Sequence, residues 1–490
     1  MEVSSVSLRE TLGPVSFVNS GDVTASTFHS DSRKISPGDV FVAVPGSSHH
    51  GDQFVEAAVA AGASAIIAES PNPRIGVPQC IVSDVRAAYA RICMAQYGWP
   101  GESLKVVGVT GTNGKTTTTW LLRSILETAR KTVGLIGTIE YSNGRTRCAA
   151  SLTTPAAPDL ARLFAQMVEQ RATHCVMEIS SHALDQRRSA AVSLAAAAIT
   201  NVTQDHFDYH GDERRYRTAK SMIAELLTPN APLFLGIDDA GCRQVHELLP
   251  AGTAIRTFGF DKAADLGVEV LAQSTSGQDL RFRLQSGHVE VRTALVGHHN
   301  ALNLLTAAAL AEQLEIDLST IADGLENVTH VPGRMERIEC GQPFTVLVDF
   351  AHTPDGLTHC LATARTLTEG KLIVAFGAGG DRDPHKRPMM AEAASAADMI
   401  VVTSDNPRSE SPTQIIDQIC AGFRPDAHVQ VCVDRQKAIQ LVIQAAGPGD
   451  VVVIAGRGHE TVQEMSQRVI SFDDRKVAAQ MIRERMVSEM

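Results

Sequence analysis

Apolar runs of six or seven residues recur along the chain, each separated from the next by stretches whose apolar positions fall at helical spacing. The clearest are LKVVGV (104 to 109), THCVMEI (173 to 179), TVLVDF (345 to 350), KLIVAFG (371 to 377), DMIVVTS (398 to 404) and DVVVIAG (450 to 456). A run that is apolar at every position, not at alternate ones, suits a strand buried on both faces, as in a parallel sheet covered by helices. The alternation therefore predicts an α/β fold, and the grouping of the runs predicts two separate sheets. The helical pattern stops at Trp99, Pro100 and Gly101 before a fresh strand, and a second break falls near Val331, Pro332 and Gly333. These breaks divide the chain into domains at 1–101, 102–334 and 335–490. The alanine-rich patches at 190–198 and 391–397 predict closely packed helices. No repeat of fixed period is present.

The 490 residues fit about three domains at roughly 100 to 200 residues each. Apolar residues at 44% and charged residues at 20% describe an ordinary globular chain and exclude disorder. With 44 Lys and Arg against 55 Asp and Glu, the net charge is −11, so no overall basic field attracts a nucleic-acid backbone and any phosphate must be held by local devices. The opening residues MEVSSVSLRE have neither a cationic nor an apolar segment, and no apolar run approaches the roughly 18 residues of a membrane span. Nine cysteines without a CxxC pair read as reduced thiols. A cytoplasmic protein is expected, without nucleic-acid partner or membrane span.

The sharpest local signal is VVGVTGTNGKTTTTWLL, in which a strand pattern runs through Gly111, Thr112, Asn113, Gly114, Lys115, Thr116 and Thr117 into a helix. Glycines let backbone N–H groups surround phosphate oxygens, the helix N-terminus adds positive potential, Lys115 reaches the outer phosphates and Thr116 offers a hydroxyl to Mg²⁺. Val109 stands five residues before Gly114, where the general phosphate-loop pattern has glycine, so a variant subfamily is implied.

Glu178 ends a predicted strand, where ligands gather in open α/β sheets, although a lone carboxylate there is more often a cap or ion-pair partner. In NVTQDHFDYHG, the residues Asp205, His206, Asp208 and His210 suit either a metal and proton site or plain turn chemistry. Lys220 in YRTAKSMI reads alone as a solvated lysine. Neither HEXXH nor GXSXG is present. Three late loops, FGAGGDRDPHKRP, SDNPRSESP and AGRGHE, each follow a predicted strand and together suggest one anion-gripping crevice.

Taken together, these strings resemble the Mur ligases, in the branch that adds the third amino acid to the peptidoglycan precursor UDP-N-acetylmuramoyl-L-alanyl-D-glutamate. The resemblance runs over nearly the whole chain: DSRKISPGDVFVAVPG, GTNGKTT, LTTP, EISSHALDQRR, TQDHFDYHG, YRTAKSM, GHHNALN, VPGRMER, DFAHTPDGL, GGDRDPHKRP, DNPR and GRGHE, in that order. It implies a small N-terminal α/β domain for the UDP end, a central P-loop ATPase domain with a parallel sheet, and a C-terminal Rossmann-like domain for the incoming amino acid. By resemblance, Ser32 and His49 contact the UDP-muramoyl group, and Thr153, Thr154, Ser180, Gln186 and Arg188 hold its sugar and peptide. Thr116, Glu178 and His206 surround magnesium, and Lys220 matches a lysine that the family carbamylates into a further metal ligand. Asn300, Arg334 and Asp349 serve the adenine, phosphate and ribose of ATP. Arg382, Asp405, Asn406, Pro407, Arg408, Gly456 and Glu460 form the amino-acid pocket. DNPR resembles the pattern of enzymes that add meso-diaminopimelate, with a buried Arg408 meeting the distal carboxylate and Glu460 the distal ammonium. Leu152, Gly236 and Ala378 depart from residues common in the family. A monomer is expected.

The competing expectations are a lysine-adding relative or a folate polyglutamate synthetase, and, outside the ligases, a P-loop switch or kinase, or an inactive UDP-sugar sensor.

Overall fold

The computed structural model describes residues 3–46, 50–274, 276–425, 427–466 and 468–489. Its described strands form three main sheets and two short ribbons, one sheet more than the apolar runs predict. The additional sheet is N-terminal, with strands Phe28–His29, Val40–Val42, Ala65–Ala68 and Gln79–Ile81 in parallel and Ser16–Val18 antiparallel at the edge. None of these strands exceeds four residues, which is too short to stand out as an apolar run.

The central sheet has eleven strands. Its parallel heart runs Val133–Ile136, His174–Glu178, Lys105–Thr110, Leu194–Ile199, Pro232–Gly236, Ala254–Gly259, Leu266–Ser274, and antiparallel strands extend both ends, Glu140–Ser142 with Arg147–Ala149 on one side and Gly277–Leu284 with Gly287–Thr293 on the other. The expected parallel sheet forms the middle of this domain, and the antiparallel strands at both ends make the whole sheet mixed. The C-terminal sheet orders its strands Glu336–Arg337, Thr345–Asp349, Val451–Ala455, Leu372–Phe376, Met399–Val402, Val429–Val431, with parallel pairing except at Glu336–Arg337.

The alanine-rich segment at 190–198 corrects one expectation. It contains the central strand Leu194–Ile199, not packed helix. Ala196 and Ala198 enter the core beneath the helices Lys115–Thr128 and His298–Gln313, whereas Ala197 and Ile199 enter the core on the other face. Small side chains let helices approach both faces of the sheet, and that tertiary fit overrides alanine's helical propensity. The second patch does contain helix, Lys386–Ala394.

Two cores sandwich the central sheet and two more sandwich the C-terminal sheet. This burial fixes where strands end, and the site is built from strand ends. Local caps set the helices that follow: Asp212 accepts from Arg215 N ahead of Glu213–Ser221, and Thr353 accepts from Gly356 N ahead of Pro354–Thr366, whose first residue is proline. No helix among the described residues is long and apolar enough to cross a membrane.

Candidate active site

The turn between Lys105–Thr110 and Lys115–Thr128 depends on two glycines. Gly111 (φ +150°) and Gly114 (φ +85°) occupy backbone conformations that disfavour side chains, and a Cβ would collide with Thr200 Oγ1 at the first and with Asn303 Oδ1 at the second. The neighbouring strand end props the turn: Asn113 N donates to Asn201 Oδ1 (2.8 Å), and Thr200 Oγ1 donates to Asn113 O (2.6 Å). Thr112 N adds a bond to Asn201 O at 2.9 Å. Lys115 Nζ folds onto the carbonyls of Gly111 (2.8 Å) and Thr112 (2.9 Å). Burial lowers its pKa, opposed by the carboxylates of Glu178 and Asp205. Thr117 is buried in the first helical turn.

Glu178 ends its strand fully buried, and its carboxylate accepts from Thr138 N (2.8 Å), Thr138 Oγ1 (2.8 Å) and Thr116 Oγ1 (3.0 Å). Arg334 reaches the same hydroxyl, donating from Nη2 to Thr116 Oγ1 at 3.1 Å, with its guanidinium over the Phe350 ring. Asp349 braces this approach by accepting from Met335 N (2.7 Å) and Ala351 N (2.8 Å), while burial raises its pKa. Asn300 sits in the first turn of His298–Gln313, donating to Val296 O (2.9 Å) and accepting from Asn303 (3.3 Å), so its amide is engaged inside the protein.

From Glu178 a chain of contacts leads outward. Thr153 Oγ1 lies 3.1 Å from Thr138 Oγ1; Thr154 Oγ1 donates to Glu178 O (2.8 Å) and accepts from Ser180 N (3.0 Å). Arg188 donates to Thr154 O (3.0 Å) and to Gln186 Oε1, and Gln186 donates to Tyr209 (3.0 Å). Gln186, Arg188 and Tyr209 form one wall of a cavity of about 960 Å³, and residues of the N-terminal sheet region, including Asp31, Lys34, Arg86 and Tyr89, form the other. Ser32 heads the turn Ser32–Lys34 beside Asp31 but does not line the cavity. His49 lies outside the described residues.

His206 takes a left-handed conformation (φ +57°) with Nε2 3.2 Å from Asp205 Oδ2, and burial pushes its pKa down to about 3 despite that carboxylate. His210 has a different task, bonding Ser181 Oγ at 3.0 Å. Lys220 is not the solvated lysine its sequence context suggests. It is 1% exposed, its ammonium lies over the Tyr216 ring at 4.5 Å, and burial holds its pKa well below the ordinary lysine range. Among the described residues no carboxylate forms an ion pair with it.

At the ends of the C-terminal strands the three late loops meet. Gly380 N donates to Asn406 O (2.9 Å), Asn406 Nδ2 donates to Glu460 Oε2 (2.7 Å), and a Cβ on Gly456 would lie 2.5 Å from Asp405 Oδ2. Asp405 Oδ2 is buried and has no hydrogen-bond partner among the described residues. Burial and the Asp405 charge push Glu460 up to about 7. Arg382 is exposed and donates to the carbonyl of Asp381, and Pro407 links Asn406 to Arg408. Arg408 corrects the expectation of a buried reader: its side chain is 26% exposed and already paired with Glu464 at 2.8 Å, because the ribbon Val462–Met465 runs alongside its loop.

Sequence reasoning assigned no role to Thr138, Asn201, Asp355 or Glu464. Asp355 ties the C-terminal part to the phosphate loop, accepting from Asn113 Nδ2 (3.0 Å) and Thr203 Oγ1 (2.9 Å). Its signal was the Thr-Pro-Asp helix start inside DFAHTPDGL.

Family models match three successive segments: "Mur ligase family, catalytic domain" at residues 27–97, "Mur ligase middle domain" at 109–311, and "Mur ligase, glutamate ligase domain" at 333–458. A protein of Geobacillus kaustophilus named UDP-N-acetylmuramoyl-L-alanyl-D-glutamate--2,6-diaminopimelate ligase is 42% identical over 93% of this chain and 94% of its own. The chain belongs to the Mur ligase family. A Solibacter usitatus protein of the same name is 41% identical over 98% of this Mur ligase and 97% of its own length. A solved structure of a protein so named superposes with a TM-score of 0.69 at 31% identity, covering 99% of this chain and 100% of the other. Folylpolyglutamate synthase of Mycobacterium tuberculosis shares the fold alone, with a TM-score of 0.63 at 20% identity over 76% of this chain and 92% of its own.

Proposed function

We propose that this Mur ligase joins meso-diaminopimelate to the γ-carboxylate of D-glutamate in UDP-N-acetylmuramoyl-L-alanyl-D-glutamate, with cleavage of ATP to ADP and phosphate. The observation that carries this reading is the unbroken contact path from the phosphate loop through Thr116, Glu178, Thr154 and Arg188 into the cavity between the N-terminal and central parts. Such a path sets a nucleotide's outer phosphate and a long acceptor's reactive end against one buried carboxylate. The relatives named for this reaction, similar over almost the whole chain, support the same substrate.

A carboxylate does not condense with an amine in neutral water, so it is first phosphorylated. The acceptor γ-carboxylate attacks the γ-phosphorus of ATP, giving an acyl phosphate and ADP. Catalysis here is positioning and charge neutralisation: the first-turn amides of the helix Lys115–Thr128 and the Lys115 ammonium hold the phosphate, and Arg334 adds a second cation. The amine of diaminopimelate then attacks the acyl carbon, and the tetrahedral intermediate collapses to amide and phosphate. Arg382, Asp405, Asn406, Arg408, Gly456 and Glu460 orient that amine. The amine's proton passes to solvent, because burial leaves His206 a weak base.

Thr116 and Glu178 fit magnesium, the hydroxyl and the buried carboxylate being oxygen donors in contact; His206 lies beside Asp205, and no group of three histidine, cysteine or acid side chains is gathered among the described residues. Such a set leaves room for nucleotide oxygens in the ion's shell. Lys220 fits carbamylation, because burial favours the neutral amine, the form that adds CO₂, and the resulting anion would supply a further ligand. When bound, the metal neutralises phosphate charge.

The test is phosphate release from ATP with the UDP-linked dipeptide and each amino acid, the product being identified by mass. Release that requires both the dipeptide and diaminopimelate is expected. Release that needs neither would overturn the ligase reading in favour of a switch.

A further inference from the structure

One charge beside the amino-acid pocket has no part in the reaction described so far. Glu464 lies on Val462–Met465, the first arm of an antiparallel ribbon completed by Arg468–Ser471. Backbone bonds fasten this arm to the loop of Asp405, Asn406, Pro407 and Arg408: Arg408 N donates to Glu464 O (3.1 Å), and Glu464 N donates to Asn406 Oδ1 (2.9 Å). Neither bond uses the Glu464 side chain. Its carboxylate nevertheless accepts from Arg408 Nε at 2.8 Å, while Arg408 Nη1 donates to Gly380 O at 2.8 Å. Two of the guanidinium's five N–H donors are thus committed within the protein. The remaining ones, one on Nη1 and two on Nη2, form no hydrogen bond among the described residues. With Arg408 26% exposed and Glu464 47% exposed, solvent and a ligand both reach the pair.

We propose that Glu464 is a specificity-determining residue, a resident carboxylate that lowers the enzyme's demand for a carboxylate on the distal end of the incoming amino acid. The proposal rests on the reading of Arg408 as the group that meets that carboxylate. An arginine dedicated to a substrate carboxylate rejects an analogue lacking it because its charge is left unpaired. Here the analogue leaves Arg408 paired with Glu464, so that penalty shrinks. Diaminopimelate, in turn, must bring its carboxylate to a fork that already carries a like charge, so its own binding weakens. The free Nη donors still receive it, and discrimination is narrowed without being abolished. The same neighbourhood holds Glu460 and Asp381 as further acids and Arg382 as a further cation, so Glu464 is the acid that engages the Arg408 fork itself.

Glu464→Gln removes the charge and keeps an oxygen for Arg408 Nε and both backbone bonds. Steady-state phosphate release with meso-diaminopimelate and with L-lysine, at saturating ATP and UDP-linked dipeptide, reads the effect. The ratio of kcat/KM for diaminopimelate over lysine is expected to rise by roughly three- to fivefold, the scale of a solvent-accessible ion pair. The KM for diaminopimelate should fall, and the KM values for ATP and dipeptide should stay as in the wild type. An unchanged or reduced ratio would overturn the proposal. Glu464→Ala also removes the Nε acceptor: selectivity lost in the alanine variant but unchanged in the glutamine variant would make Glu464 a brace for Arg408 and overturn it likewise. A wild-type enzyme that uses neither amino acid would overturn the ligase reading, and this proposal with it.

Discussion

Glu460, in the proposed amino-acid pocket, titrates close to neutrality, and the consequence can be worked from the structure. Burial and the Asp405 charge raise its pKa to about 7, against the lowering effects of Asn406, Arg457 and Arg408. The carboxylate is then about one tenth ionised at pH 6 and about nine tenths ionised at pH 8. Only the ionised form attracts the distal ammonium of diaminopimelate, so capture strengthens as pH rises through 7. The attacking amine also deprotonates with rising pH, and a rate profile alone would mix the two effects. Glu460→Gln separates them, because glutamine still offers an oxygen to Asn406 Nδ2 but cannot titrate, whereas the amine's behaviour is common to both enzymes. The KM for diaminopimelate in the variant divided by that in the wild type should therefore grow by about tenfold between pH 6 and pH 8, measured by phosphate release at fixed ionic strength. Stability runs the other way. A folded pKa raised above the ordinary glutamate value means that the folded state holds the extra proton, so the wild type loses stability relative to the glutamine variant as pH rises from about 5 to 8. A KM ratio that stays flat across this range would refute Glu460 as the group facing the ammonium.

Two further outcomes follow from the central domain. Gly114→Ala should leave a folded protein with activity reduced by about a hundredfold or more, since the left-handed backbone and the clash with Asn303 displace the phosphate loop; near-normal turnover together with normal ATP binding by calorimetry would contradict this. Lys220→Ala should be severely impaired and partly restored by short carboxylic acids, and the wild type should lose activity when bicarbonate is depleted; full activity of the variant without such an acid would exclude a carbamate role.

What could be read from the sequence was whatever is local. The phosphate loop is contiguous, and its glycines, lysine and threonine sit between a strand and a helix that the apolar pattern itself predicts. The six long apolar runs all contain strands for the same reason, because a strand buried on both faces leaves an uninterrupted signal. The N-terminal sheet left none, since its strands are only two to four residues long. The strand Leu194–Ile199 was misread because alanine reports helical preference in isolation, and only the two helices pressed against it explain why small residues are needed there.

Contacts between distant residues left little trace in the sequence, and these govern the amino-acid pocket. Arg435 begins the helix Arg435–Ala445 and Asp474 begins Asp474–Glu489, where each looks like an ordinary surface charge. Both are buried, and they pair through two hydrogen bonds of 2.8 and 2.7 Å. The same guanidinium donates to Ser404 O (3.2 Å) and Ala455 O (3.0 Å), the residues just before Asp405 and just before Gly456. The strands Met399–Val402 and Val451–Ala455 are not neighbours, because Leu372–Phe376 runs between them. One buried cation therefore spans that strand and ties the two loops that present Asn406 and Glu460 to each other. Removing one partner of a buried pair costs about 3–5 kcal/mol, because the other charge is left buried and unpaired, so losing Arg435 would loosen both loops. Arg408 and Glu464, both partly exposed, form a pair of the weaker kind. On the proposed reading, the pocket combines a base tied by buried charge, where the amine arrives, with a partly exposed rim, where the distal carboxylate is read.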